Sequence, residues 1–179
     1  LFNKLLRKFT SSWGYMGLII LSLLLIKITF LIYRYHLPLW DESVYIGIGK
    51  FLWSFGDKGL WEPIRPIGLP ILFGFLWKVG LGTTQVYDSL IFLFVVGNVI
   101  LLFLITKHLL NEKIALISSV ALSITPVFFF NSLKILTGIP ASFFLLFSIY
   151  LYLKRFNLIL VGVVASLSFI MRFPAGIII

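Results

Sequence analysis

Two adjacent carboxylates, Asp41 and Glu42, follow the first apolar segment of the chain, and Arg65-Pro66 stands immediately before the next one. A carboxylate within hydrogen-bond reach of a hydroxyl can take its proton, a contribution on the order of 10² to 10⁴ in rate. A guanidinium can donate two parallel hydrogen bonds to phosphate oxygens. Asp41 and Glu42 are therefore the candidate catalytic residues and Arg65 the candidate anion clamp, with Lys134 and Arg172 as further candidates for substrate binding. Neighbouring residues on a helix point about 100° apart, so Asp41 and Glu42 cannot both enter one small site without backbone adjustment. Each candidate also has a simpler role. Asp41 can cap a helix with Glu42 in its first turn, Arg65 can pair with Glu62 across a surface turn, and Lys134 and Arg172 can be interfacial anchors.

The elements that must position these residues are apolar. The 179 residues are 60% hydrophobic and 12% charged, with a mean hydropathy of +1.10. That leaves too little polar surface for a water-soluble globule. The expected fold is an all-α, polytopic transmembrane helical bundle of about five or six spans, forming a single membrane domain over residues 1–179. Fifteen Lys and Arg against six Asp and Glu do not form a basic stripe interleaved with stacking aromatics, so nucleic acid is not an expected partner. Anionic membrane lipids are. With no cysteine there are no disulfides, thiolate metal sites or cysteine nucleophiles. His36 and His108 are the only histidines, which excludes a histidine-pair metal motif.

Residues 13–33 make a first span of about 31 Å, with Trp13, Tyr15, Tyr33 and Tyr35 at its interfaces. Lys4, Arg7 and Lys8 precede it without an acid, which predicts a cytoplasmic N-terminus and an external loop over residues 36–66. Within the span, Lys27 is expected to snorkel toward the outer surface. In the loop, Val44, Ile48, Phe51, Leu52 and Phe55 follow helical spacing, predicting an amphipathic juxtamembrane helix that stops at Gly56. Further apolar segments cover 67–79, 86–106, 114–130, 135–153 and the stretch from 158 to Arg172. The first of these is short and carries Gly68, Pro70 and Gly74, so it either crosses tilted or is a broken segment that returns. The charge rule favours return, which places Lys107, Lys113, Lys154 and Arg155 in the cytoplasm. Asp88 reads as a helix cap, and Asn98 as a hydrogen-bonding group across a helix interface.

The order of Trp40-Asp41-Glu42-Ser43-Val44-Tyr45 and Arg65-Pro66-Ile67-Gly68-Leu69-Pro70 after one span resembles the polyprenyl-phosphate-dependent GT-C glycosyltransferases of the protein mannosyltransferase and aminoarabinose transferase type. Lys107 to Lys113, Lys134 to Pro140 and Met171-Arg172-Phe173-Pro174 are similar to later family motifs. Gly138 departs from the pattern, because the family commonly has an aspartate before the Ile-Pro step. The resemblance implies an integral-membrane enzyme of the cell membrane, or of the endoplasmic reticulum membrane in a eukaryote. It would move a sugar with inversion from a dolichyl- or undecaprenyl-type phosphate to a protein, lipid or glycan acceptor on the extracytoplasmic face. Asp41 matches the family's base or metal-associated carboxylate, and a divalent metal ion is the one cofactor left open. The chain begins at Leu1, ends in an apolar run at Ile179 and has fewer spans than the family module. It is expected to be a piece of that module, inactive alone.

Two other classes fit an apolar chain of this kind. Broken Gly- and Pro-containing segments also occur in transporters, whose sites lie near the bilayer midplane, and a noncatalytic scaffold or lipid-binding subunit needs no site at all. An enzyme should converge Asp41 and Arg65 on an outward cavity that opens sideways to lipid, a transporter should have a central pathway, and a scaffold neither.

Overall fold

Leu69, Phe73, Tyr87, Ile91, Val95, Val99 and Phe103, each 1% exposed or less, form the centre of the molecule. Five of them recur every four residues along a single helix, so its apolar stripe meets neighbours on several sides. The computed structural model describes residues 12–33 and 38–174, which form eight helices and no strand. In chain order these are α1 (Ser12–Tyr33), α2 (Trp40–Trp53), α3 (Gly68–Lys78), α4 (Thr84–Leu109), α5 (Glu112–Ile124), α6 (Pro126–Ser132), α7 (Gly138–Leu153) and α8 (Leu158–Met171). The all-helical expectation holds. Lys4, Arg7, Lys8, Tyr35 and His36, which entered the orientation and metal arguments, lie outside the described residues.

The central helix is α4, which packs on α5 and α7. Thr83 starts it by accepting the Val86 N–H, and Asn111 and Asn157 cap α5 and α8 in the same way. Asn98 donates across the α4–α7 interface to the Ile139 carbonyl at 3.0 Å, the role expected of it. On the far side of α7, Ser168 of α8 donates to the Ala141 carbonyl at 2.8 Å.

Helix α2 lies where the juxtamembrane helix was expected, but it is packed rather than laid on a surface. It crosses α3 at Gly49 and Gly74, where a methyl group at Gly74 would clash with the Gly49 carbonyl and the Trp53 ring. Val44 and Ile48 are buried in the expected way, while Phe55 lies beyond the helix end and is 96% exposed. Phe55 and Gly56 both take positive φ, which terminates α2.

Three expectations are corrected. Segment 114–130 is two helices, not one, bent by 64° between α5 and α6. Thr125 is extended at ψ 124° and Pro126 starts α6, because proline has no N–H to continue the ladder and its ring obstructs the preceding turn. Lys27 does not snorkel; it is 4% exposed and its Nζ lies 3.0 Å from Asp88 Oδ1. Asp88 is accordingly not a cap, since Thr83 fills that place and Asp88 lies inside the helix.

Among the described residues, α4 is long and apolar enough to cross a hydrocarbon layer, and α5 with α6 makes a second such unit if the bent pair counts as one. The apolar stretch Gly14–Thr29 and helices α3, α7 and α8 are shorter. Helix α3 has 11 residues, about 16 Å at 1.5 Å per residue, so it is about half of a bilayer's hydrocarbon thickness. The start of α2, the 62–66 turn, the segment before α7 and the end of α8 line one common cavity. These four pieces meet where α7 starts and α8 ends.

Candidate functional site

That cavity has a volume of about 610 Å³ and brings Asp41, Tyr45, Glu62, Arg65, Thr137, Gly138 and Arg172 together. Leu39 is the N-cap of α2, so Asp41 sits within the first turn and is not the cap. Tyr45 follows it one turn later on the same face. Opposite them, a turn closed by the Arg65 N–H donating to the Glu62 carbonyl at 3.2 Å and stiffened by buried Pro66 delivers Arg65. Its Nη2 donates to Asp41 Oδ1 at 2.8 Å and its Nε to Glu62 Oε1 at 3.1 Å. The guanidinium carbon stands 5.7 Å from the centre of the Tyr45 ring, within cation–π range.

Arg65 is thus held from three directions. Its burial acts to lower the pKa, but hydrogen bonds with Glu62 and Tyr45 and the charge and hydrogen bond of Asp41 act against this, and the net shift is upward. A permanently charged guanidinium with a fixed orientation follows. The pairing with Glu62, the simpler alternative for Arg65, is present as well as the pairing with Asp41.

Glu42 faces elsewhere. It is fully buried, and its Oε2 accepts the Leu39 N–H at 2.7 Å while Oε1 accepts the Ile135 N–H at 2.9 Å. One carboxylate therefore closes the first turn of α2 and ties it to the segment leading into α7, 93 positions later. The 100° separation of adjacent helical residues explains the division of labour: Asp41 lines the cavity and Glu42 fixes the wall that carries it.

Arg172 lines the same cavity from the C-terminal end of α8. A methyl group at position 138 would lie 2.9 Å from its Nη1, so the glycine leaves room for the guanidinium. Among the described residues no carboxylate pairs with Arg172. Lys134 is half-buried and does not line the cavity; its segment contributes the Ile135 N–H instead. Tyr45 was not singled out from the sequence, although its spacing of four from Asp41 was a usable signal.

The divalent ion left open above finds no ready ligand set. Among the described residues no three His, Asp or Glu side chains gather to hold a metal, and Asp41 and Glu62 each direct an oxygen at Arg65.

No known protein family, curated protein or solved structure matches this chain.

Proposed function

We propose that the chain forms the donor-side part of a multi-pass membrane glycosyltransferase that uses a sugar linked to a polyprenyl phosphate. One observation carries this: Asp41 and Arg65, 24 residues apart, meet at 2.8 Å on a cavity that Arg172 also lines. A carboxylate base for a hydroxyl and a cation for a phosphate are the two groups that such a transfer requires. The cavity gathers helix ends and a turn, namely the starts of α2 and α7, the 62–66 turn and the end of α8, whereas a transporter would build its site along a central path. Trp40 and Ile64 flank the cavity residues in sequence and are 81% and 77% exposed, as suits a rim resting in the interfacial layer.

Arg65 takes a role different from the anion clamp expected from the sequence, while Arg172 keeps its place as a substrate-binding candidate. Arg65 is committed to Asp41 and Glu62, so it orients the base. Arg172, with which no carboxylate pairs among the described residues, takes the lipid phosphate. In the reaction the acceptor hydroxyl oxygen attacks the anomeric carbon as the bond from that carbon to the phosphate oxygen breaks. The hydroxyl proton passes to Asp41 Oδ2, since Oδ1 is held by Arg65. The configuration inverts, and the polyprenyl phosphate leaves as an anion facing Arg172.

The test is kinetic. In the intact enzyme, Arg172→Gln should raise KM for the lipid donor by roughly tenfold or more, the equivalent of losing one charge-assisted contact, with the acceptor KM unchanged. An unaltered donor KM would remove Arg172 from the site and leave the cavity without its phosphate ligand.

The arrangement also requires α1, α4, the α5–α6 unit, α7 and α8 to cross the membrane, with α2 and α3 together on the external side. Because the chain has no cysteine, Ser54→Cys and Asn111→Cys can be labelled without background. An impermeant thiol reagent on intact cells should modify Ser54→Cys and spare Asn111→Cys. Labelling of both, or the opposite pattern, contradicts the topology.

A further inference from the structure

Helix α2 has a second lined face. Ser43, Gly47 and Lys50 follow one another at four- and three-residue steps on the side away from Asp41 and Tyr45, and with Lys58, Trp77 and Thr84 they enclose another cavity of about 610 Å³. No carboxylate lines it, and among the described residues none pairs with Lys50 or Lys58. Asp57, next to Lys58 in sequence, lies outside the lining.

Dedicated contacts hold the Lys58 loop against the α2 face that carries Lys50. Ser54 Oγ accepts the Lys58 N–H at 2.8 Å and donates to the Lys58 carbonyl at 3.2 Å, so Lys58 is pinned at both ends of its own residue. Gly59, at φ +92°, folds the loop so tightly onto α2 that a methyl group there would clash with the Gly47 carbonyl. The Leu60 N–H donates to that same carbonyl. The Lys58 ammonium then lies 6.0 Å from the centre of the Trp77 ring. Trp77 is itself seated against Gly82, where a methyl group would come within 2.8 Å of its ring.

Two like charges lining one cavity repel each other, and an anion between them turns that repulsion into attraction. Ammonium donors, the nearby hydroxyls of Ser43 and Thr84, and a flat aromatic wall are suited to a phosphate group attached to a polar or sugar-like moiety. We infer that this cavity is a second site, separate from the Asp41 cavity, that binds a phosphate-bearing molecule through Lys50 and Lys58. The phosphate can belong to a phospholipid headgroup at the membrane surface or to a soluble phosphate compound.

The full chain in phosphatidylcholine nanodiscs tests this with two probes. One is phosphatidate with brominated acyl chains, read by quenching of tryptophan fluorescence; the other is inorganic phosphate, read by phosphorus NMR line broadening. At least one should bind saturably, and Lys50→Gln/Lys58→Gln should weaken that binding by roughly tenfold or more. The double arginine variant should restore it. Saturation by phosphatidate alone assigns the site to a lipid headgroup; saturation by inorganic phosphate assigns it to a soluble ligand. A control, Lys113→Gln/Lys154→Gln, removes the same charge elsewhere. Equal losses in the two double variants, or no saturable binding of either probe, overturn the inference.

Discussion

Asp88→Leu alone should destabilise the helix bundle by about 3–5 kcal/mol, because it strands a buried ammonium without its counter-charge. Lys27 is 4% exposed and Asp88 fully buried, and the 3.0 Å bond between them joins α1 to α4. Lys27 Nζ also donates to the Ser132 carbonyl at 3.4 Å, which brings in the end of α6. Apart from Lys27, the buried side chains of α1 among the described ones are Met16 and Leu23, with Ile19 and Ile20 partly buried against the core, while Leu18, Leu21, Leu25 and Ile28 are exposed. The pair thus adds a polar tie to the apolar packing of α1 on the core and on α5. Lys27→Met/Asp88→Leu, which removes both charges and keeps the volume, should recover most of the loss or exceed the native stability. Thermal unfolding of detergent-purified protein measures both variants. An Asp88→Leu protein as stable as the native one would show that the pair contributes nothing to holding α1.

Neither Lys27 nor Asp88 could be paired from sequence, although both were noticed. Hydropathy located the helices well where a long apolar run had polar ends: the expected 13–33 and 86–106 became Ser12–Tyr33 and Thr84–Leu109. Periodicity reports which face of a helix avoids water, but not which helix it meets, so partners 61 residues apart were invisible. Lys27 was assigned to the surface because that is the usual way a lysine leaves an apolar layer. The α5–α6 break was legible and was passed over. Pro126 sits within an apolar run, and its missing N–H overrides the continuity of hydropathy. In the site, Asp41 and Arg65 were chosen for their chemistry and do meet, as Arg172 does on the same cavity. Glu42 was recognised as unable to share Asp41's direction, but its bond to the Ile135 N–H depends on a segment 93 residues away. Lys134 was offered for its charge and its place in a family-like motif; it sits in the turn before α7 and does not line the Asp41 cavity.

The second large effect concerns Asp41. Asp41→Asn should lower sugar transfer by about 10² to 10⁴ in the intact enzyme, since the amide keeps the shape but cannot accept the acceptor's proton at neutral pH. The fold should be unchanged. Asp41 is half-exposed and its pair with Arg65 lies near the surface, where such pairs are worth about 0–1 kcal/mol. Donor affinity should also be preserved, because the phosphate is assigned to Arg172. A large loss in turnover without a loss in stability or donor binding separates a proton acceptor from a structural acid. If Asp41 served only to hold Arg65, Asp41→Asn would instead weaken donor binding and turnover together.

The most direct measurement of the central claim is transfer of a radiolabelled sugar from polyprenyl phosphate by the intact protein, with native and Asp41→Asn enzymes purified side by side. Native enzyme should release free polyprenyl phosphate in step with an inverted glycoside product, and Asp41→Asn at least a hundredfold less of both at equal donor occupancy. Transfer at near-native rate by Asp41→Asn, or no donor cleavage by the native protein across a panel of polyprenyl-phosphate sugars and acceptors, would contradict it.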